Sequence, residues 1–197
     1  MRRHPVVIIT SLSLLACGTD LERTGNTPAE TYRSWSHYMG DPGRTHYSSL
    51  DQIDTTNVGR LEVAWAYASG GLQEGARTEI QHNPLIVGSA LYGTNPRLEL
   101  FKVDARTGEE IWRVESLQVD GMPIWFGRSR GLMRWVSEDG SDERIYFGAG
   151  TYLFAADAGT GRLVDGFGEE GRIDLRTGLG RDPETILVGY RSVAAEF

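Results

Sequence analysis

Two stretches decide the fold: "LFKVDARTGEEIW" at Leu100–Trp112 and "LFAADAGTGRLVD" at Leu153–Asp165. Both carry the phrase Leu-Phe-x-x-Asp-Ala-x-Thr-Gly, offset by 53 residues from Leu100 to Leu153. Each phrase reads as a strand followed by a tight turn. Asp and Thr side chains bond nearby backbone groups, and Gly accepts a positive φ that other residues resist. Asp104, Thr107 and Gly108 therefore set the first turn. Trp112, four residues past it, is large enough to cover apolar surface on a neighbouring unit.

Short strands surround the phrases. "LEVAWAYAS" (Leu61–Ser69) is rich in aliphatic and aromatic residues and reads as a strand. "PLIVGSALYGT" (Pro84–Thr94) is two apolar runs split by Gly88-Ser89, a hairpin signal. Leu98–Glu115 gives another pair, and "RIYFGAG", "TYLFAADAGTG" and "RLVDGFG" repeat the scheme. No segment sustains the i, i+3, i+4, i+7 stripe of an amphipathic helix. The expected class is all-β, with blades of four antiparallel strands, the first over about 61–115 and the second over about 130–175. Repeated units of this kind build propellers, in which each blade is stacked between neighbours. A closed ring needs about four to eight blades, and these residues supply about two. Two blades alone would leave open sheet edges, so the sequence reads as part of a longer ring.

Charge and composition exclude some functions. The formal net charge is −7, with 40% hydrophobic and 24% charged residues. That balance suits a globular protein and gives no basic footprint for nucleic acid. Cys17 is the single cysteine, and the four histidines, His4, His37, His46 and His82, are scattered, so neither a disulfide nor a Cys/His metal cluster is expected. At the N-terminus a basic start (Arg2, Arg3, His4) precedes a short apolar run, Val6 to Leu15, and the small residues Ala16-Cys17-Gly18. This has the shape of a secretory signal and is too short to span a bilayer, which takes about 20 residues. Leu14-Leu15-Ala16-Cys17 resembles a lipobox. Residues 1–17 are thus expected to be a lipoprotein-type signal with Cys17 as the lipidation site, 18–33 a flexible tether, and 34–197 the folded body. This implies a bacterial periplasmic location with contact to the membrane through a lipid anchor only.

The residues from Ser34 onward resemble the quinoprotein dehydrogenases that use pyrroloquinoline quinone (PQQ). The likeness rests on Trp35, Tyr38, Gly40-Asp41, Tyr47-Ser48, Leu50-Asp51-Gln52-Ile53, Asn57-Val58 and Ala64-Trp65. It rests also on "DARTGEEIW" (Asp104–Trp112), "RGLMRW" (Arg130–Trp135) and "FGEEGRIDLRTGLGRDPET" (Phe167–Thr185). The resemblance implies an eight-bladed propeller in which a docking tryptophan, here Trp112, packs on the next blade. In the second copy Asp165 stands where Trp112 stands in the first, so that junction is expected to pack differently, through Phe167. For the cofactor, a tricarboxylate ortho-quinone, the resemblance points to Arg130 of the Arg-Gly-Leu motif and to Gln81. A guanidinium pairs with a carboxylate bidentately, and a carboxamide can donate or accept. His82, beside Gln81, reads as an ordinary loop histidine. A bound Ca²⁺, an alcohol or sugar substrate, and a respiratory quinone or cytochrome c acceptor are implied in the same way. The catalytic base and calcium ligands belong to later blades, so no catalytic or metal residue is expected here. "MPIWFGRS" before Arg130 lacks the Cys pair of the methanol-oxidising branch, and Arg97 stands where the sugar-oxidising enzymes carry a His. The alternative is a non-catalytic propeller lipoprotein that acts as an envelope assembly scaffold.

Overall fold

The computed structural model describes residues 33–189 apart from 73, 76–78, 115–116, 120–121 and 124–127. The expected signal, Cys17, the tether up to Tyr32 and the final stretch from Tyr190 lie outside the described residues.

Two four-stranded antiparallel sheets form the body. The first is a meander of β1 (Leu85–Val87), β2 (Ala90–Thr94), β3 (Leu100–Asp104) and β4 (Glu110–Arg113), in that spatial order. A small hairpin follows, β5 (Gln118–Val119) with β6 (Met122–Pro123). The second meander runs through β7 (Met133–Val136), β8 (Glu143–Ala149), β9 (Tyr152–Asp157) and β10 (Arg172–Asp174). The hairpin expected at Gly88-Ser89 forms, with Val87 paired to Ala90 and Leu85 to Tyr92.

The sheets stack face to face. Leu85, Tyr92, Leu100 and Val114 from the first blade share one buried cluster with Leu132, Ile145, Phe147, Phe154 and Ala156 from the second. Phe147 and Phe154 stack at 5.3 Å between ring centroids. Strand alternation places these side chains on one face. The first blade buries its other face as well. Phe101 and Val103 alternate with Leu100 and are also buried, and Tyr67 lies 5.0 Å from Phe101, centroid to centroid. Runs buried on both faces are what a blade between two neighbours requires.

Leu61–Ser69 departs from its expected strand. It belongs to neither sheet, so the first blade's strands begin at Leu85. The segment has strand composition, yet a strand exists only where another strand takes its backbone groups. It lies instead across the far face of the first blade, with Trp65, Tyr67 and Ser69 partly covered and Ala64, Ala66 and Ala68 exposed.

The second junction is also rebuilt. Asp165 is exposed, and near the second turn the chain makes only an isolated bridge, Ala156 to Leu163. The outer strand is supplied later, by Arg172–Asp174 against Tyr152–Phe154. Phe167 packs edge-on against Tyr146 of its own blade at 5.2 Å.

Candidate functional site

The phrase that opens the sequence forms the same turn twice. The Gly108 N–H donates to the Asp104 carbonyl at 2.8 Å, and the Gly161 N–H to the Asp157 carbonyl at 2.8 Å. The Ala105 N–H reaches the Ser89 carbonyl at 2.7 Å, and the Ala158 N–H the Glu143 carbonyl at 2.8 Å. Arg106 ion-pairs with Asp104 at 2.7 Å, and these bonds hold the Asp104 carboxyl down at about 2. Thr107 Oγ1 accepts from the Glu109 N–H at 3.3 Å. Both glycines adopt φ +74, and each lies under a tryptophan. A Cβ on Gly161 would meet Trp112 Cε3 at 2.6 Å; one on Gly108 would meet Trp65 Cε3 at 2.5 Å. Trp112 thus crosses from the first blade to the second, and Trp65 makes the equivalent contact on the first. Nothing in the local sequence marks Trp65 for this role, because no Asp-Ala-x-Thr-Gly phrase precedes it.

At one end of the seam between the blades, the residues entering β1 run beside those entering β7. Asn83 and Gly131 form a parallel bridge, and the Asn83 N–H donates to the Arg130 carbonyl at 3.1 Å. Ser129 is buried, with its hydroxyl donating to the Gly131 carbonyl at 3.0 Å. Just before the bridge, Arg128 Nε pairs with Glu79 at 2.7 Å. Gln81 and Arg130, 49 residues apart in sequence, therefore sit on two adjacent segments of chain at the same end of the blade seam, both exposed. The neighbouring arginines are already engaged, Arg128 with Glu79 and Arg134 with Glu143 at 2.6 Å. Arg130 has no ion-pair partner among the described residues. Its main chain is fixed while its guanidinium is available, which suits the binding of an anionic group from outside the chain.

His82 does more than line a loop. Its Nε2 accepts the Thr94 N–H at 3.2 Å, so its proton sits on Nδ1. Burial pushes its pKa down to about 4. It stays neutral near pH 7 and ties the loop that carries Gln81 to the end of β2. Gly93 makes room for it, since a Cβ there would meet His82 Nε2 at 2.8 Å. Arg97 is exposed, away from this contact, and its backbone N–H donates to Asn95 Oδ1 at 2.9 Å.

Among the described residues no group of three or more His, Cys, Asp or Glu side chains could hold a metal ion. None of their helices is long and apolar enough to cross a membrane. That end of the seam carries an exposed guanidinium, Arg130, and an exposed carboxamide, Gln81.

Residues 35–195 match the family model described as "PQQ: Glucose/ethanol/alcohol dehydrogenase, beta-propeller domain". The quinate/shikimate dehydrogenase (quinone) of Acinetobacter baylyi is 28% identical over 92% of this chain and 27% of its own length. The glycerol dehydrogenase large subunit of Gluconobacter oxydans is 31% identical over 74% of this chain and 21% of its own length. Among solved structures, the quinohemoprotein alcohol dehydrogenase of Comamonas testosteroni superposes with a TM-score of 0.58 at 26% identity. That match covers 76% of this chain and 20% of the other. The chain thus spans about a fifth to a quarter of the length of these relatives.

Proposed function

The chain belongs to the family of PQQ-dependent glucose, ethanol and alcohol dehydrogenase β-propellers, and we propose that it supplies two adjacent blades of an exported quinoprotein dehydrogenase. The whole enzyme oxidises an alcohol or sugar hydroxyl and passes electrons to a respiratory quinone or cytochrome c. The observation that carries the reading is Arg130: its guanidinium is exposed and has no ion-pair partner among the described residues, while its carbonyl is clamped to the strand of chain that bears Gln81. Arg130 fits a carboxylate of the cofactor through a bidentate pair, and Gln81 fits a second polar group beside it. PQQ, with a Ca²⁺ held elsewhere in the ring, supplies the two-electron acceptor chemistry. The residues here bind and orient; the blade seam holds their backbone still. The lipid anchor at Cys17 and the periplasmic location complete the proposal and rest on the N-terminal sequence alone. The scaffold alternative is not favoured, because the relatives described above are dehydrogenases.

The test uses the full-length apo-enzyme. Binding of PQQ, followed by its absorbance, should weaken about 10-fold to 100-fold in Arg130→Ala, the loss of a charge-assisted pair of roughly 1.5–3 kcal/mol. Arg130→Lys should restore part of it. Unchanged PQQ affinity in Arg130→Ala would reject the carboxylate role.

A further inference from the structure

Arg130 is one of two arginines on its segment of the seam, and the other is held differently from every other paired arginine described. Arg128 Nε meets Glu79 Oε1 at 2.7 Å. Glu79 belongs to the segment entering β1 and Arg128 to the segment entering β7, so this pair crosses the seam. The other ion pairs among the described residues join positions at most 14 apart in sequence, and none leaves its own blade.

The side chains around it are set out in order. Ser129 is buried between Arg128, which is partly exposed, and Arg130, which is exposed. That is the in-and-out alternation of extended chain, and it turns both guanidiniums to the same side. On the neighbouring segment Glu79 and Gln81 are both exposed. Glu79 and Arg128 are 49 residues apart, the separation of Gln81 and Arg130. The parallel bridge of Asn83 to Gly131 keeps the two segments side by side.

Magnitude decides what the Glu79–Arg128 pair can do. Its side chains are 47% and 41% exposed. An ion pair in that much water is favoured about 5-fold at most. This is little for a strap between blades that already share a buried apolar cluster. The same weakness makes the pair easy to displace. A guanidinium carries five N–H donors and pairs edge-on with any carboxylate that reaches it.

We propose that Arg128 is a second carboxylate-binding arginine of the cofactor site and that Glu79 is its built-in place-holder. Glu79 occupies Arg128 until a carboxylate of the ligand takes its place. The inference rests on the PQQ reading of Arg130 and Gln81. A tricarboxylate carries more negative charge than one arginine neutralises, and Arg128 is the next cation along the same segment. Before the ligand arrives, Glu79 offsets the repulsion between two like charges two residues apart. Its carboxylate also competes with the ligand, and so sets how tightly the site holds it.

Titration of the full-length apo-enzyme with PQQ, followed by cofactor absorbance, tests this in wild type, Glu79→Gln, Arg128→Ala and the double variant. Glu79→Gln should bind PQQ about 3-fold to 5-fold more tightly, because no carboxylate has to be displaced. Arg128→Ala should bind about 10-fold more weakly, with part of the loss restored in Arg128→Lys. The double variant should match Arg128→Ala. Arg128→Gln takes the place of Arg128→Ala should the latter fail to fold. Unchanged or weaker binding in Glu79→Gln overturns the proposal, and weaker binding with a lowered urea midpoint would make the pair a strap. A tightening that persists in the double variant also overturns it, since that gain would come from the lost negative charge acting at a distance. Wild-type apo-enzyme that binds no PQQ would sink the dehydrogenase reading and this inference with it. Wild-type binding with no gain in Glu79→Gln sinks this inference alone.

Discussion

The seam under Trp65 and the seam under Trp112 share one geometry and differ in how their polar atoms are satisfied. At the first, the Trp65 indole N–H donates to the Ala105 carbonyl at 3.1 Å. At the second, the equivalent Ala158 carbonyl is taken by Lys102 Nζ at 3.0 Å and the Tyr92 hydroxyl at 3.3 Å. The Trp112 indole N–H is left buried with no partner among the described residues. What the repeat preserves is therefore shape: a flat ring over a glycine at φ +74. The hydrogen bond is replaceable, because Lys102 and Tyr92 can do for Ala158 what Trp65 does for Ala105.

The shape of the two seams is their most sensitive point. Gly108→Ala and Gly161→Ala each place a methyl at about 2.5–2.6 Å from an indole carbon on a backbone that disfavours L-residues. Each should cost about 3 kcal/mol or more, measured by urea unfolding followed by circular dichroism. Near-equal losses would show that the two seams are mechanically alike. A much smaller loss at Gly161 would show that the unpaired Trp112 ring is free to swing away.

Acid separates the two blades, since His82 packs against β2 of the first. Its folded pKa of about 4 lies below the ordinary 6.5, so the unfolded chain takes up the proton first as pH falls. The stability His82 contributes is complete above about 6.5 and is lost as pH falls toward 4, at most about 3 kcal/mol. His82→Gln should flatten the stability profile between pH 6.5 and 4. Profiles of equal slope in both proteins would assign the acid sensitivity elsewhere.

The smallest effect separates the polar atoms. Trp65→Phe leaves the Ala105 carbonyl without its side-chain donor, while Trp112→Phe removes an N–H that has no acceptor. The first should cost about 1 kcal/mol more than the second in the same unfolding experiment. Equal costs would mean that the Trp65 hydrogen bond contributes nothing.

The periodic part of this molecule was legible in the sequence. The Asp-Ala-x-Thr-Gly turns, the hairpin at Gly88-Ser89 and the crossing of Trp112 are written in local spacing, where turn chemistry and strand alternation decide the outcome. The contacts that assemble the Arg130 end of the blade seam were not. Gln81 and Arg130 are 49 residues apart, and only the stacking of two blades brings their chains together. His82 looked like any loop histidine because the Thr94 N–H it accepts belongs to a strand end twelve residues on. Leu61–Ser69 misled for the opposite reason. Its side chains favour a strand, but composition does not say where the pairing strand will come from. Asp165 did signal a changed junction, and the outer strand moved on to Arg172–Asp174.

The Asn83 N–H to Arg130 carbonyl bond and the Arg128–Glu79 pair tie the two chain segments together at that end of the blade seam. Arg130 grows from one blade while its carbonyl is held by the other. A change in the angle between the two blades would therefore re-aim the Arg130 guanidinium, which has no ion-pair partner among the described residues.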